Sequence, residues 1–135
     1  MLVPINRAGS KPPVFFIHGA NGIMPVGGLF SRILGSDYPF YVINAKGFDG
    51  SPPHQSFNEM VEAYYVYIVD TAPTGPVVIA AMCWGTLIAI EVARKLLAAQ
   101  GDDLGDLPQV LDAPIGARAD PDDVEGHIGD ARSGG

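Results

Sequence analysis

The stretch from Val77 to Ala99 constrains the fold more than any other part of the chain. It opens with six apolar residues, VVIAAM, and passes through Cys83-Trp84-Gly85 directly into TLIAIEVARKLLAA. A run without apolar/polar alternation suits a strand buried on both faces, as in a parallel sheet covered by helices. Beyond it, Leu87, Ile88, Ile90, Ala93 and Leu97 recur at helical spacing, and Gly101 marks the stop. A strand leading at once into a helix predicts an α/β chain with right-handed crossovers. A membrane span is excluded here. Pro73 and Pro76 interrupt the uncharged segment, and Val77–Ile90 falls short of the ~20 residues a spanning helix needs.

The rest of the body repeats the pattern. Val14–Ile17 and Phe40–Asn44 are further apolar runs, and Gln109–Asp112 is a shorter one closed by Pro114. Between them, residues 28–34 predict a short helix, and a longer one opens at Ser56. There Ser56 and Glu59 form a capping-box pattern ahead of Phe57, Met60/Val61, Tyr64/Tyr65 and Ile68. The predicted order is β-α-β-α-β-α-β, a mostly parallel sheet with helices on both faces.

Charge divides the chain. Up to residue 100, the acids Asp37, Asp49, Glu59, Glu62, Asp70 and Glu91 balance the bases Arg7, Lys11, Arg32, Lys46, Arg94 and Lys95. The whole formal charge of −7 therefore resides in residues 101–135. No basic patch suited to phosphate neutralisation exists in either part, so nucleic acid is not an expected partner. Residues 115–135 hold few bulky apolar side chains and are expected to be an acidic, disordered tail. Cys83 is the single cysteine, which excludes an internal disulfide. The opening MLVPINRAGSKPP lacks the basic-then-apolar pattern of a secretory signal, so the cytoplasm is the expected compartment.

Ala81-Met82-Cys83-Trp84-Gly85 stands where G-x-S-x-G forms a tight strand-to-helix elbow, with Cys83 at the serine position and Ala81 at the first glycine. Small residues two before and two after the central side chain let such a turn pass neighbouring backbone. Cys83 would sit at the amino end of a helix, which favours an anionic sulfur, and the Trp84 N–H would face a developing oxyanion. The alternative for Cys83 is a buried core thiol.

Five stretches, in order across residues 12–114, resemble the thioesterase domains of non-ribosomal peptide and polyketide synthetases, in the α/β-hydrolase superfamily. They are PPVFFIHGANG, FSRILGSDYPFYVINAKGFDGSPP, SFNEMVEAYYVYI, GPVVIAAMCWGTLIAIEVARKLLAAQG and LPQVLDAP. The resemblance implies Cys83 as nucleophile, Trp84 and Ala20 as oxyanion donors, and Asp112 as triad acid. It implies no metal and no bound cofactor. The substrate would be an acyl or peptidyl chain on the phosphopantetheine arm of a carrier protein. His18 is expected to pack and hydrogen-bond locally, His54 to face solvent, and the glycines of the Gly47–Gly50 turn to take positive φ while Asp49 caps it.

The family pattern ends early. After Asp112 the only histidine is His127, in the acidic stretch, with no hydrophobic anchor to hold it as a base. The expectation is a partial domain over 1–114, lacking its C-terminal half and lid, from a truncated or frame-shifted reading frame. Its activity would be weak or absent. The alternative is a hydrolase-fold module that binds without catalysis, or a non-functional fragment.

Overall fold

A computed structural model describes residues 1–101 of the 135. The expectations for Gln109–Asp112, for Asp112 and His127, and for the 115–135 tail lie outside the described residues.

The described residues form four strands and three helices: β1 (Leu2–Asn6), β2 (Val14–Ile17), α1 (Gly27–Leu34), β3 (Phe40–Ile43), α2 (Phe57–Thr71), β4 (Val78–Ala81) and α3 (Gly85–Ala99). They make one sheet in the order β1-β3-β2-β4. The β2–β3 and β2–β4 pairings are parallel, while β1 runs antiparallel to β3.

β1 is the element the sequence did not announce. Pro4 within LVPIN argues against a central strand because it has no N–H to donate. An edge strand tolerates that loss, and the register is irregular between Pro4 and Asn6.

Burial follows from the two-faced sheet. All four residues of β2 are buried. Phe15 and Ile17 point to one face, where Ile43 joins them against Phe57, Met60, Val61, Tyr64 and Ile68 of α2 and Ile88 and Val92 of α3. Val14 and Phe16 point to the other, with Phe40, Val42 and Met24. On that second side Phe30 of α1 meets Phe16, ring centroids 5.2 Å apart. Helices thus cover both faces of β2, as its unalternating run requires. β4 departs from the same expectation: Val78 is exposed and Ile79–Ala81 are only partly buried, because β4 is the edge strand among the described residues.

α2 begins at its predicted cap. Ser56 Oγ accepts from the Glu59 N–H at 3.2 Å. The Glu59 carboxylate reaches back to the N–H of Gln55 at 2.6 Å, one residue before the usual capping-box donor. α3 differs from the helical stripe expected of it. Its buried line is Gly85, Ile88 and Val92, while Leu87 and Ile90 are exposed. α3 lies over β4, the edge strand of the described sheet, so only the side turned towards β2 and α2 is covered. Lys95 ties α3 to α2 through Glu62 at 2.6 Å and lies over the Tyr65 ring. An exposed pair of this kind adds little stability.

Candidate functional site

Ile17 and Ala81 are partners on the last rung between β2 and β4. The chain therefore leaves both strands at one rim of the sheet, into His18–Gly22 on one side and Met82–Trp84 on the other.

The turn after β4 is tight. Gly85, Thr86 and Leu87 donate in succession to the carbonyls of Met82, Cys83 and Trp84, at 3.1, 3.0 and 3.1 Å. Closing it places Cys83 at φ +54°, the one positive φ of a non-glycine among the described residues. Such a conformation costs about 1–3 kcal/mol for a residue with a Cβ. The thiol side chain is exposed. Trp84 caps α3 with helical φ and ψ, and its indole lies edge-on to Phe57, centroids 6.0 Å apart. Its side chain therefore packs on α2 while its backbone stands at the amino end of α3.

The loop after β2 is pinned at three points. Gly22 N–H donates to the Gly19 carbonyl at 3.0 Å, Ala45 N–H to the Gly22 carbonyl at 2.7 Å, and Met24 N–H to Asn44 Oδ1 at 2.9 Å. Gly19 is buried against Met82: a Cβ there would stand 3.3 Å from the Met82 methyl. Ala20 follows at the exposed tip. Both predicted oxyanion donors thus sit on turns at the rim that carries Cys83.

His18 is buried, as expected of it. Its Nδ1 is 2.6 Å from the Gly19 carbonyl oxygen and its Nε2 is 2.7 Å from the Tyr64 hydroxyl. Burial pushes its pKa below the ordinary imidazole value and pushes that of the Tyr64 phenol above its own. His54 departs from expectation. It is half-buried, edge-on to Tyr64 at 6.0 Å, because the 52–56 loop folds back over α2, and burial lowers its pKa too. Its Nδ1 is enclosed without a hydrogen-bond partner among the described residues. The Gly47–Gly50 turn is as expected, with positive φ at both glycines and Asp49 Oδ1 accepting from Ser51 N–H at 3.0 Å.

A concavity of about 630 Å³ runs along α2, lined by His54, Ser56, Glu59, Glu62, Val66 and Tyr67 among others; Cys83 does not line it. No helix among the described residues is long and apolar enough to cross a membrane.

The family described as "Thioesterase domain" matches residues 12–111, most of the chain. The chain belongs to the thioesterase family. Atromentin synthetase greA of Suillus grevillei is 36% identical over 104 residues, 76% of this chain and 11% of that protein. The NocB thioesterase domain, solved as a covalent complex with a fluorophosphonate nocardicin G analog, matches with a TM-score of 0.65 at 21% identity. The match covers 76% of this chain and 46% of the NocB thioesterase-domain chain. The Vlm2 thioesterase domain matches with a TM-score of 0.61 at 28% identity, over 76% of this chain and 41% of that one.

The four strands and three helices of the described residues thus correspond to part of the α/β-hydrolase fold of those thioesterase domains. The chain spans about a tenth of the length of the curated relatives it matches. Tyr64 is the partner of His18 that sequence reading passed over. Its helical spacing marks it as core, and nothing in the pattern joins it to a histidine 46 residues earlier.

Proposed function

We propose that this thioesterase chain contributes the nucleophile and oxyanion elements of a site acting on acyl or peptidyl thioesters carried on a phosphopantetheine arm. Cys83 is the nucleophile. Its sulfur attacks the thioester carbonyl carbon, the electron pair moves onto the carbonyl oxygen, and the Trp84 and Ala20 N–H groups hold that oxyanion. When the carbonyl re-forms, the bond to the pantetheine sulfur breaks, that sulfur leaves with the bonding pair and takes up the proton that Cys83 gives up, and the acyl group remains on Cys83 as a new thioester. Water then releases an acid, or a nucleophile within the chain releases a ring. Because a thioester keeps more transfer potential than an ester, cyclisation or transfer is favoured over plain hydrolysis. Asp112 is the acid of the triad.

The observation that supports this most is the positive φ of Cys83 in a turn between a parallel strand and a helix. A purely structural cysteine has no need of that strained conformation, whereas an elbow that lifts one side chain above the sheet does.

The test is trapping. Incubation with an acyl-thioester analogue should add one acyl mass to the intact chain, and Cys83→Ala should abolish it. No adduct over several hours would leave the alternative, a hydrolase-fold module that binds without catalysis.

A further inference from the structure

The Gly19 carbonyl is engaged from two directions, by Gly22 N–H at 3.0 Å and by His18 Nδ1 at 2.6 Å. A carbonyl oxygen only accepts, so Nδ1 must carry the ring proton. In a neutral imidazole Nε2 is then the acceptor, and the partner 2.7 Å away, the Tyr64 hydroxyl, is the donor. The ring meets Tyr64 edge-on at 80°, and Tyr64 is itself fully buried between Tyr67, stacked at 6.1 Å, and His54.

No peptide bond of the described chain is cis. In a trans peptide the C=O and the following N–H point in opposite directions. Fixing the Gly19 carbonyl on the His18 ring, inside the protein, therefore turns the Ala20 N–H outward to the exposed rim. The orientation of one backbone donor is in this way set by a phenol on a helix of the far layer.

We infer that Tyr64 is a positioning residue of this site: its hydroxyl donates to His18 Nε2, holds the ring in the Nδ1–H tautomer, and so fixes the Gly19–Ala20 peptide with the Ala20 N–H presented beside the Cys83 turn. Its consequence for chemistry rests on the reading of Ala20 as an oxyanion donor, but the relay itself does not.

NMR and labelling kinetics on the full chain test it. Long-range ¹H–¹⁵N NMR should show the Nδ1–H tautomer at His18. Tyr64→Phe keeps the ring in the core and removes only the hydroxyl; it should shift His18 towards the Nε2–H tautomer and move the Ala20 amide resonance. The same variant should slow acylation of Cys83 by an activated thioester at least about tenfold. It should leave alkylation by iodoacetamide, which develops no oxyanion, unchanged. An Nε2–H tautomer in the wild type overturns the inference, as does an Ala20 resonance unmoved by Tyr64→Phe, or an equal loss of acylation and alkylation. If the wild type is not acylated at all, the nucleophile reading of Cys83 fails, and the tautomer and the Ala20 resonance still decide the role of Tyr64.

Discussion

Gly85 lies against the carbonyl oxygen of His18 so closely that a Cβ at position 85 would overlap it. The first residue of α3 is thereby seated on the residue that follows β2. That approach, together with Gly19 against Met82, joins the turn carrying Cys83 to the loop carrying Ala20, and at position 85 only a residue without a side chain permits it. A methyl there has no flexible neighbour to displace, because the obstacle is main chain.

Gly85→Ala should therefore lower stability by about 1–3 kcal/mol, the usual cost of overfilling a packed site. The reading is a urea midpoint that falls while the slope of the transition stays constant. An unchanged midpoint would mean that α3 shifts away from β2 at no cost.

Cys83 should respond in the opposite sense. With φ at +54°, it occupies a region that glycine enters freely. Cys83→Gly should raise stability by about 1 kcal/mol relative to Cys83→Ala, since alanine retains the strain of a Cβ. Thermal midpoints of the two variants, measured side by side, give the comparison, and neither variant should form an acyl adduct.

Ser56 supplies the cap of α2 through its bond to the Glu59 N–H. Ser56→Ala should cost about 1 kcal/mol. Ser56→Asp should restore most of it, because a carboxylate accepts the same bond and favours the positive end of the helix. Chemical denaturation followed by helical circular dichroism is the readout.

Stability should also fall on mild acidification. His18 and His54 both have pKa values lowered from 6.5, in each case chiefly by burial. The unfolded chain then binds more protons than the folded one between the folded pKa values and 6.5. The stabilisation is complete above that value, declines as pH drops below it, and stops declining once the folded pKa values are passed. The groups facing His18 are Tyr64 from α2 and His54 from the loop before it, with the Met1 amino group acting at longer range. Asp37 and Asp49 have pKa values held below the carboxylate range by their bonds to Ser10 and Ser51, so their losses come at lower pH. Thermal midpoints from about pH 8 to about pH 5 should show the histidine step together with that of the Met1 amino group, whose pKa burial lowers from 8.0. A flat profile over that window would contradict it.

The elements of this fold were legible where local pattern and burial agree. Val14–Ile17 is a strand end to end, and the helix opening at Ser56 starts at its cap. Both faces of β2 are buried, as its unalternating run suggests, whereas the equally apolar β4 is only partly buried because its place at the edge of the described sheet is not written in its sequence. β1 was not legible, because Pro4 lowers strand propensity and the compensation comes from an edge position that only pairing with β3 reveals. The helical stripe of α3 was misjudged at Leu87 and Ile90 for a related reason. Periodicity shows that a helix has an apolar side, but what covers that side depends on where the helix lies on the sheet.

The site divides in the same way. Cys83-Trp84-Gly85 after VVIAAM sufficed to place a tight turn with a thiol at the amino end of a helix, because strand, turn and helix are contiguous in the chain. The sequence by itself thus determined the layered α/β order and the position of the thiol. Tertiary structure alone decided that Gly85 touches His18, that His54 folds onto Tyr64, and that Tyr64 reaches His18 from 46 residues away. Contacts of that kind arise from strand order and helix seating, and no local period in the sequence records them.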